Sequence, residues 1–204
     1  MVPAPLKQRL LPGWTPDLIV IGASAGAVDA LGTLLPRLPR TATVPIAIVV
    51  HVPATRPSAL VRLFGDKCAL PVAHPLDKQP VAPGIWFAAP GYHLLVEDGG
   101  TFAMSIDDAV NYSRPSIDVL FESAADVYGD RLVAVVLTGA NADGARGAKK
   151  VRDAGGFVLV QDPAEAEIDV MPRSAIALAN PQIVAPLHDL ATILGSISSP
   201  RGSR

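Results

Sequence analysis

The chain has little cysteine, little charge and no long apolar run. A single cysteine, Cys68, in 204 residues excludes an internal disulfide and a cysteine-rich metal site, and it fits a reducing compartment. Charged residues make up 18%, with 17 Lys and Arg against 19 Asp and Glu for a formal net charge of −2. No basic cluster stands out, so the field that a phosphate backbone requires is missing and nucleic acid is not an expected partner. Nowhere do 18 consecutive apolar residues occur, and Met1 to Pro16 lacks the continuous apolar stretch of a signal peptide. The expectation is a cytoplasmic protein without membrane insertion.

What is present is core-forming material. Half of the residues are hydrophobic, enough for one sizeable domain. Apolar runs alternate with amphipathic stretches: Leu18 to Ile21 then Val28 to Leu38, Val44 to Val50 then Pro57 to Phe64, Leu132 to Leu137 then Ala145 to Ala154, Phe157 to Val160 then Arg173 to Ala179. The runs are β-branched and unrelieved by polar residues, the pattern of parallel strands covered on both faces. The predicted fold is α/β, a doubly wound, mostly parallel sheet with helices on both faces. Ile85 to Ala88, Tyr92 to Val96 and Thr101 to Ser105 break the alternation around Pro90-Gly91 and Asp98-Gly-Gly100. They read as an antiparallel hairpin or meander inserted between parallel units. A helix is predicted over Arg114 to Tyr128, with Pro115 in its first turn. Residues 1–16 read as an N-terminal tether, 17–198 as one folded domain and 199–204 as a flexible tail.

In an open parallel sheet, ligands and reacting groups gather beyond the carboxyl ends of the strands. Three predicted strands end in residues suited to chemistry. The first runs into Gly22-Ala-Ser24-Ala-Gly26, a serine on a sharp strand-to-helix turn; the second delivers His51 directly after Val50; the strand from Leu132 leads to Asp143. A serine hydroxyl is a weak nucleophile until a base takes its proton and a carboxylate orients that base, so Ser24, His51 and Asp143 form a candidate catalytic triad. Each has a plainer reading: the glycine-rich turn could cradle a phosphate, His51 could be a hydrogen-bonded strand-end histidine, and Asp143 could be a helix N-cap. A dinucleotide site is disfavoured, because His51 stands where an acidic residue would hold the ribose. Cys68 reads as a small buried hydrophobe.

The motifs Ile21-Gly-Ala-Ser-Ala-Gly26, Val49-Val-His-Val-Pro53, Ala88-Ala-Pro-Gly-Tyr-His93, Arg114-Pro-Ser-Ile-Asp118-Val-Leu-Phe121, Leu137-Thr-Gly-Ala-Asn-Ala-Asp143-Gly-Ala145, Ala154-Gly-Gly156, Gln161-Asp162 and Met171-Pro-Arg173-Ser-Ala-Ile176 follow one another in order. Together they resemble the catalytic domain of the CheB-type chemotaxis protein-glutamate methylesterases. The resemblance implies that Ser24, His51 and Asp143 are the triad, that the substrates are glutamate methyl esters on the cytoplasmic helices of chemoreceptors, and that deamidation of certain glutamines is a related activity. It implies no metal and no organic cofactor. Oxyanion donors are expected from the Ala25 and Gly26 N–H groups beyond the nucleophile.

The chain departs from the family pattern in three places. Ala25-Gly26-Ala27 replaces the usual Thr-Gly-Gly, and Ala140-Asn141 replaces Met-Gly ahead of the aspartate, so the amide of Asn141 becomes a candidate replacement donor. The family usually carries a phosphorylatable receiver domain, for which sixteen residues before the first strand are too few. The expectation is an esterase without inhibition in cis, either standing alone in a variant chemosensory pathway or controlled by a separate response regulator or another chemosensory protein. The alternative is a catalytically weakened binding or regulatory module that keeps the fold.

Overall fold

The structure is a computed structural model that describes residues 14–51 and 59–199. The strands are β1 (Leu18–Ala23), β2 (Ile46–Val50), β3 (Val72–Ala73), β4 (Ile85–Phe87), β5 (His93–Glu97), β6 (Thr101–Ser105), β7 (Leu132–Val136), β8 (Phe157–Gln161) and β9 (Ile183–Ala185). The helices are α1 (Ala27–Leu34), α2 (Leu60–Gly65), α3 (Ile117–Tyr128), α4 (Ala145–Asp153), α5 (Val170–Ala179) and α6 (Leu187–Ile197).

Unbroken apolar strands need cover on both faces, and they receive it. Every residue of β1, β2, β7 and β8 is buried. The sheet runs β3-β4-β2-β1-β7-β8-β9, and each pairing within it is parallel. Alternate residues of β1 face opposite ways. Ile19, Ile21 and Ala23 join a core completed by Leu31 and Leu34 of α1, Phe64 of α2 and Leu190, Ile193 and Leu194 of α6. Leu18 and Val20 join a second core built from Leu120 and Phe121 of α3, Ala148 and Val151 of α4, and Met171 and Ala175 of α5. The antiparallel pair β5–β6 lays Leu94, Val96 and Phe102 on this second core.

The chain leaves β1 toward β2 on one side and returns to β7 on the other, so the direction of winding reverses at β1. The carboxyl end of β1 is therefore the switch point where a doubly wound sheet opens a crevice.

Several expectations are corrected. Ile85 to Phe87 is no part of an antiparallel meander: it pairs in parallel with β2 and β3 inside the main sheet, leaving a two-stranded hairpin as the insertion. The helix predicted from Arg114 begins at Ile117 with Ser116 as its N-cap, so Pro115 precedes the helix. Helix α5 starts at Val170, three residues earlier than predicted, with Pro172 inside its first turn, where a missing N–H costs nothing. Of the helix predicted from Pro57, residues 57 and 58 lie outside the described residues. Trp14 packs against Phe157, ring centroids 5.4 Å apart, so packed structure reaches into the predicted tether. The rest of the predicted tether before Trp14 and all of the predicted tail beyond Ser199 lie outside the described residues.

Candidate active site

Three neighbouring strands end at the site. Beyond β1, the Ser24 N–H donates to the Thr138 carbonyl at 2.9 Å and the Ala27 N–H returns to the Ser24 carbonyl at 3.0 Å, which closes the Ser24 turn onto the loop after β7. Gly26 completes the turn at φ 79°; a Cβ there would lie 2.8 Å from Glu167 Oε2 and 3.0 Å from Thr138 Cγ2, so only glycine suits the position. The Thr138 hydroxyl lies 2.9 Å from the Ala25 carbonyl and 3.2 Å from that of Ile168, while the Thr138 N–H is held by Gln161 Oε1 at 2.8 Å. At the end of β2, the His51 N–H donates to the Ala23 carbonyl at 3.3 Å.

These backbone ties bring the three predicted side chains together. His51 Nδ1 lies 3.2 Å from Ser24 Oγ, and His51 Nε2 lies 2.8 Å from Asp143 Oδ2. A carboxylate only accepts, so Nε2 carries the ring proton and Nδ1 presents its lone pair to the serine hydroxyl. The histidine thus faces the serine with the nitrogen nearer its backbone, the reverse of the ring orientation in the serine-protease template.

Asp143 is fully buried and richly held. Its Oδ2 also accepts from the Ile117 N–H at 2.6 Å. Its Oδ1 accepts from Asn111 Nδ2 at 2.9 Å, Ser116 Oγ at 2.9 Å and the Asp118 N–H at 3.1 Å. Burial pushes its carboxyl up, but hydrogen bonds from His51, Asn111 and the Ile117 and Asp118 amides outweigh that and hold it below the usual range. It caps α3 from outside, since Ile117 and Asp118 open that helix; its own helix, α4, has Gly144 as N-cap. The plain reading of Asp143 as the N-cap of the helix that follows it is therefore corrected: its carboxylate meets the first amides of α3 and faces His51.

A second buried carboxylate stands beside it. Asp118 Oδ1 accepts from the Gly147 N–H at 2.7 Å, and its Oδ2 accepts from Asn111 Nδ2 at 2.9 Å. Burial, with the charge of Asp143, raises its pKa above the ordinary carboxylate value despite these donors.

Of the expected oxyanion groups, the N–H groups of Ala25 and Gly26 have no partner among the described residues, whereas that of Ser24 is taken by Thr138. Asn141 turns its side-chain oxygen to the Asp143 N–H at 3.2 Å. Sequence reasoning missed Asn111, Ser116, Asp118 and Thr138 as members of the site. Three of them lie inside motifs that carried the resemblance, but only the fold shows what each touches. His93 is buried, and its Nδ1 accepts the Ser116 N–H at 3.2 Å, one residue from the carboxylate. Cys68 is partly buried against the first core instead of fully buried as expected, and burial pushes its thiol up. Among the described residues, no group of three or more His, Cys, Asp or Glu is placed to hold a metal, and no helix is long and apolar enough to cross a membrane.

A doubly wound α/β domain in which Ser24, His51 and Asp143 are hydrogen-bonded in series at the carboxyl switch point has the layout of a hydrolase site. Comparison with known proteins narrows it. The family model for CheB methylesterase matches residues 19–194, and the chain belongs to that family. A putative protein-glutamate methylesterase/protein-glutamine glutaminase of Leptospira interrogans is 46% identical over 178 residues, covering 87% of this chain and 92% of that protein. A protein-glutamate methylesterase/protein-glutamine glutaminase of Symbiobacterium thermophilum is 35% identical over 175 residues, covering 85% of this chain but 48% of the relative, so the chain spans about half of that longer protein. The crystal structure of the Thermotoga maritima CheB methylesterase catalytic domain superimposes with a TM-score of 0.85 at 30% identity, covering 90% of this chain and 99% of that one.

Proposed function

We propose that the protein hydrolyses methyl esters of glutamate side chains on the cytoplasmic helices of chemoreceptors, and that it deamidates glutamine side chains by the same route. The carrying observation is the Ser24–His51–Asp143 relay, with its 3.2 and 2.8 Å separations, in a chain whose relatives are named for both activities. As Ser24 Oγ attacks the ester carbonyl, His51 Nδ1 takes its proton, and Asp143 stabilises the imidazolium across Nε2. The tetrahedral oxyanion is received by the Ala25 and Gly26 N–H groups, with the Asn141 amide at the rim; one such donor is worth about 3–4 kcal/mol. Collapse breaks the C–O bond, and the imidazolium proton leaves with methanol. Water, deprotonated by the same Nδ1, then attacks the acyl-serine, releasing glutamate and restoring Ser24. With a glutamine the leaving group is ammonia.

The test is methanol release from methylated receptor fragments, compared among wild type, Ser24→Ala and His51→Ala. Release by wild type alone supports the reading. Equal release by His51→Ala overturns the general-base role, and an inert wild type that also resists a serine-directed fluorophosphonate leaves the binding-module alternative.

A further inference from the structure

We infer that Asn111 is a positioning residue for this reaction: its side-chain nitrogen donates one hydrogen to Asp143 and the other to Asp118, holding two facing buried carboxylates apart and keeping Asp143 aimed at His51. The inference rests on the esterase reading and adds to it a residue outside the relay.

The two carboxylates are nearly unexposed, at 0% for Asp143 and 2% for Asp118, and Asn111 Nδ2 is 2.9 Å from each. The groups facing the pair are few. From α3 come the Ile117 and Asp118 N–H groups and the Ser116 hydroxyl; from the end of β2 comes His51. From α4 come the Gly147 N–H and Arg146, whose Nε is 3.5 Å from Asp118 but 3.0 Å from Glu122. That exposed, shared guanidinium neutralises Asp118 only weakly. Arg114 is spent on the Ile106 and Asp107 carbonyls. His93, at the start of β5, accepts the Ser116 N–H and faces the Asp108 carbonyl with its other nitrogen. Among the described residues Asn111 is thus the one uncharged side chain that donates to both carboxylates, and a group there that could only accept would set a third oxygen against them.

The backbone fixes it in place. Asn111 and Tyr112 stand at φ 52° and 62°, in a two-residue turn closed by Val110 and Ser113 through N–H···O bonds of 3.2 and 2.9 Å. Asparagine tolerates this left-handed geometry better than most residues. While Tyr112 is wholly exposed at the tip, the neighbouring amide turns inward to the carboxylates.

Asn111→Asp tests this, because it keeps the shape and exchanges the donor for an acceptor. The expected result at neutral pH is a loss of kcat of about tenfold or more with KM little changed. The ratio of variant to wild type then rises as pH falls and the new carboxyl takes up a proton to donate. Adding Asp118→Asn should return most of the loss. A residue that merely fills space predicts wild-type kcat in the isosteric variant, a flat ratio across pH and no rescue, and any of these overturns the inference. Proton NMR supplies a readout that needs no turnover: the downfield signal of His51 Nε2–H against Asp143 should weaken or shift in Asn111→Asp, and an unchanged signal also overturns it. If Asn111→Asp does not fold, Asn111→Ala is read by kcat and by the His51 Nε2–H signal, and wild-type values of both overturn the inference. A wild type with the signal but without ester hydrolysis sinks the esterase reading alone.

Discussion

At the scale of single residues, Asp143 accepts from His51, Asn111, Ser116, Ile117 and Asp118. Only the first of those partners could be read from the sequence. His51 was legible because a strand end places it beside another strand end, and parallel topology makes those ends neighbours. Asn111 and Ser116 were not, because they meet Asp143 through a chain reversal that no periodicity encodes. A carboxylate held this way makes a signed prediction. Its folded pKa lies below the unfolded value, so the stabilisation is present above the ordinary carboxylate range and is lost as pH falls through the folded value. In Asp143→Asn that component is absent, so the stability gap between wild type and variant should narrow on acidification, as read by urea unfolding at neutral pH and near pH 3. The same substitution presents His51 with a group that can donate instead of only accept. The rate of acylation by an activated ester should fall by roughly 10⁴-fold, as measured by burst kinetics. Gly144 adds a steric test. At φ 90°, an added Cβ would sit 2.6 Å from Ile117 Cγ2, so Gly144→Ala should destabilise by about 2 kcal/mol or more and disturb the amide that holds Asp143.

At the scale of elements, the start of each of two packed helices is capped by an aspartate from the other's neighbourhood. Asp143, just before α4, accepts the first two N–H groups of α3, and Asp118, in the first turn of α3, accepts the Gly147 N–H in the first turn of α4. Two positive helix ends thereby lie together with two carboxylates between them, each end meeting the charge it favours. The arrangement also sets the fate of Asp118, whose pKa burial raises. The folded protein therefore binds a proton there before the unfolded chain does, and this contribution to stability grows as pH falls through the folded value toward the ordinary carboxylate range. Asp118→Asn removes that dependence, so its stability relative to wild type should be higher at pH 7 than at pH 4.5, by chemical denaturation; an equal difference at both would count against the burial assigned to the charged group. Elements of this kind divide by legibility. The buried strands β1, β2, β7 and β8 were readable as unbroken β-branched runs. Strand β3, at two residues, and β9, at three, are too short for a pattern. Strand β4 was readable as a strand, but its sheet was not, because three residues do not reveal a partner.

At the scale of the whole molecule, the parallel sheet separates stability from chemistry along the strand direction. All the groups of the site stand beyond the carboxyl ends of β1, β2 and β7, while the amino ends close over apolar packing in which Trp14 stacks obliquely on Phe157, the first residue of β8. Close by, the Asp17 N–H donates to the Arg131 carbonyl, and their side chains form a paired contact of 2.6–2.7 Å. That ion pair is about half exposed, so it contributes little; the aromatic contact is the larger share. Trp14→Ala should therefore cost about 1–2 kcal/mol from lost apolar burial and the ring contact. In a domain of this size that lowers the melting temperature by about 2–8 °C. The rate with an activated ester at 25 °C should stay within about twofold of wild type, because no side chain of the relay touches that end and well-separated sites act almost independently. Calorimetry and burst kinetics on one preparation read both quantities. A loss of rate equal to that of a relay mutant would mean that the two ends are coupled through the strands, whereas an unchanged melting temperature would mean that the packed domain begins only after Trp14.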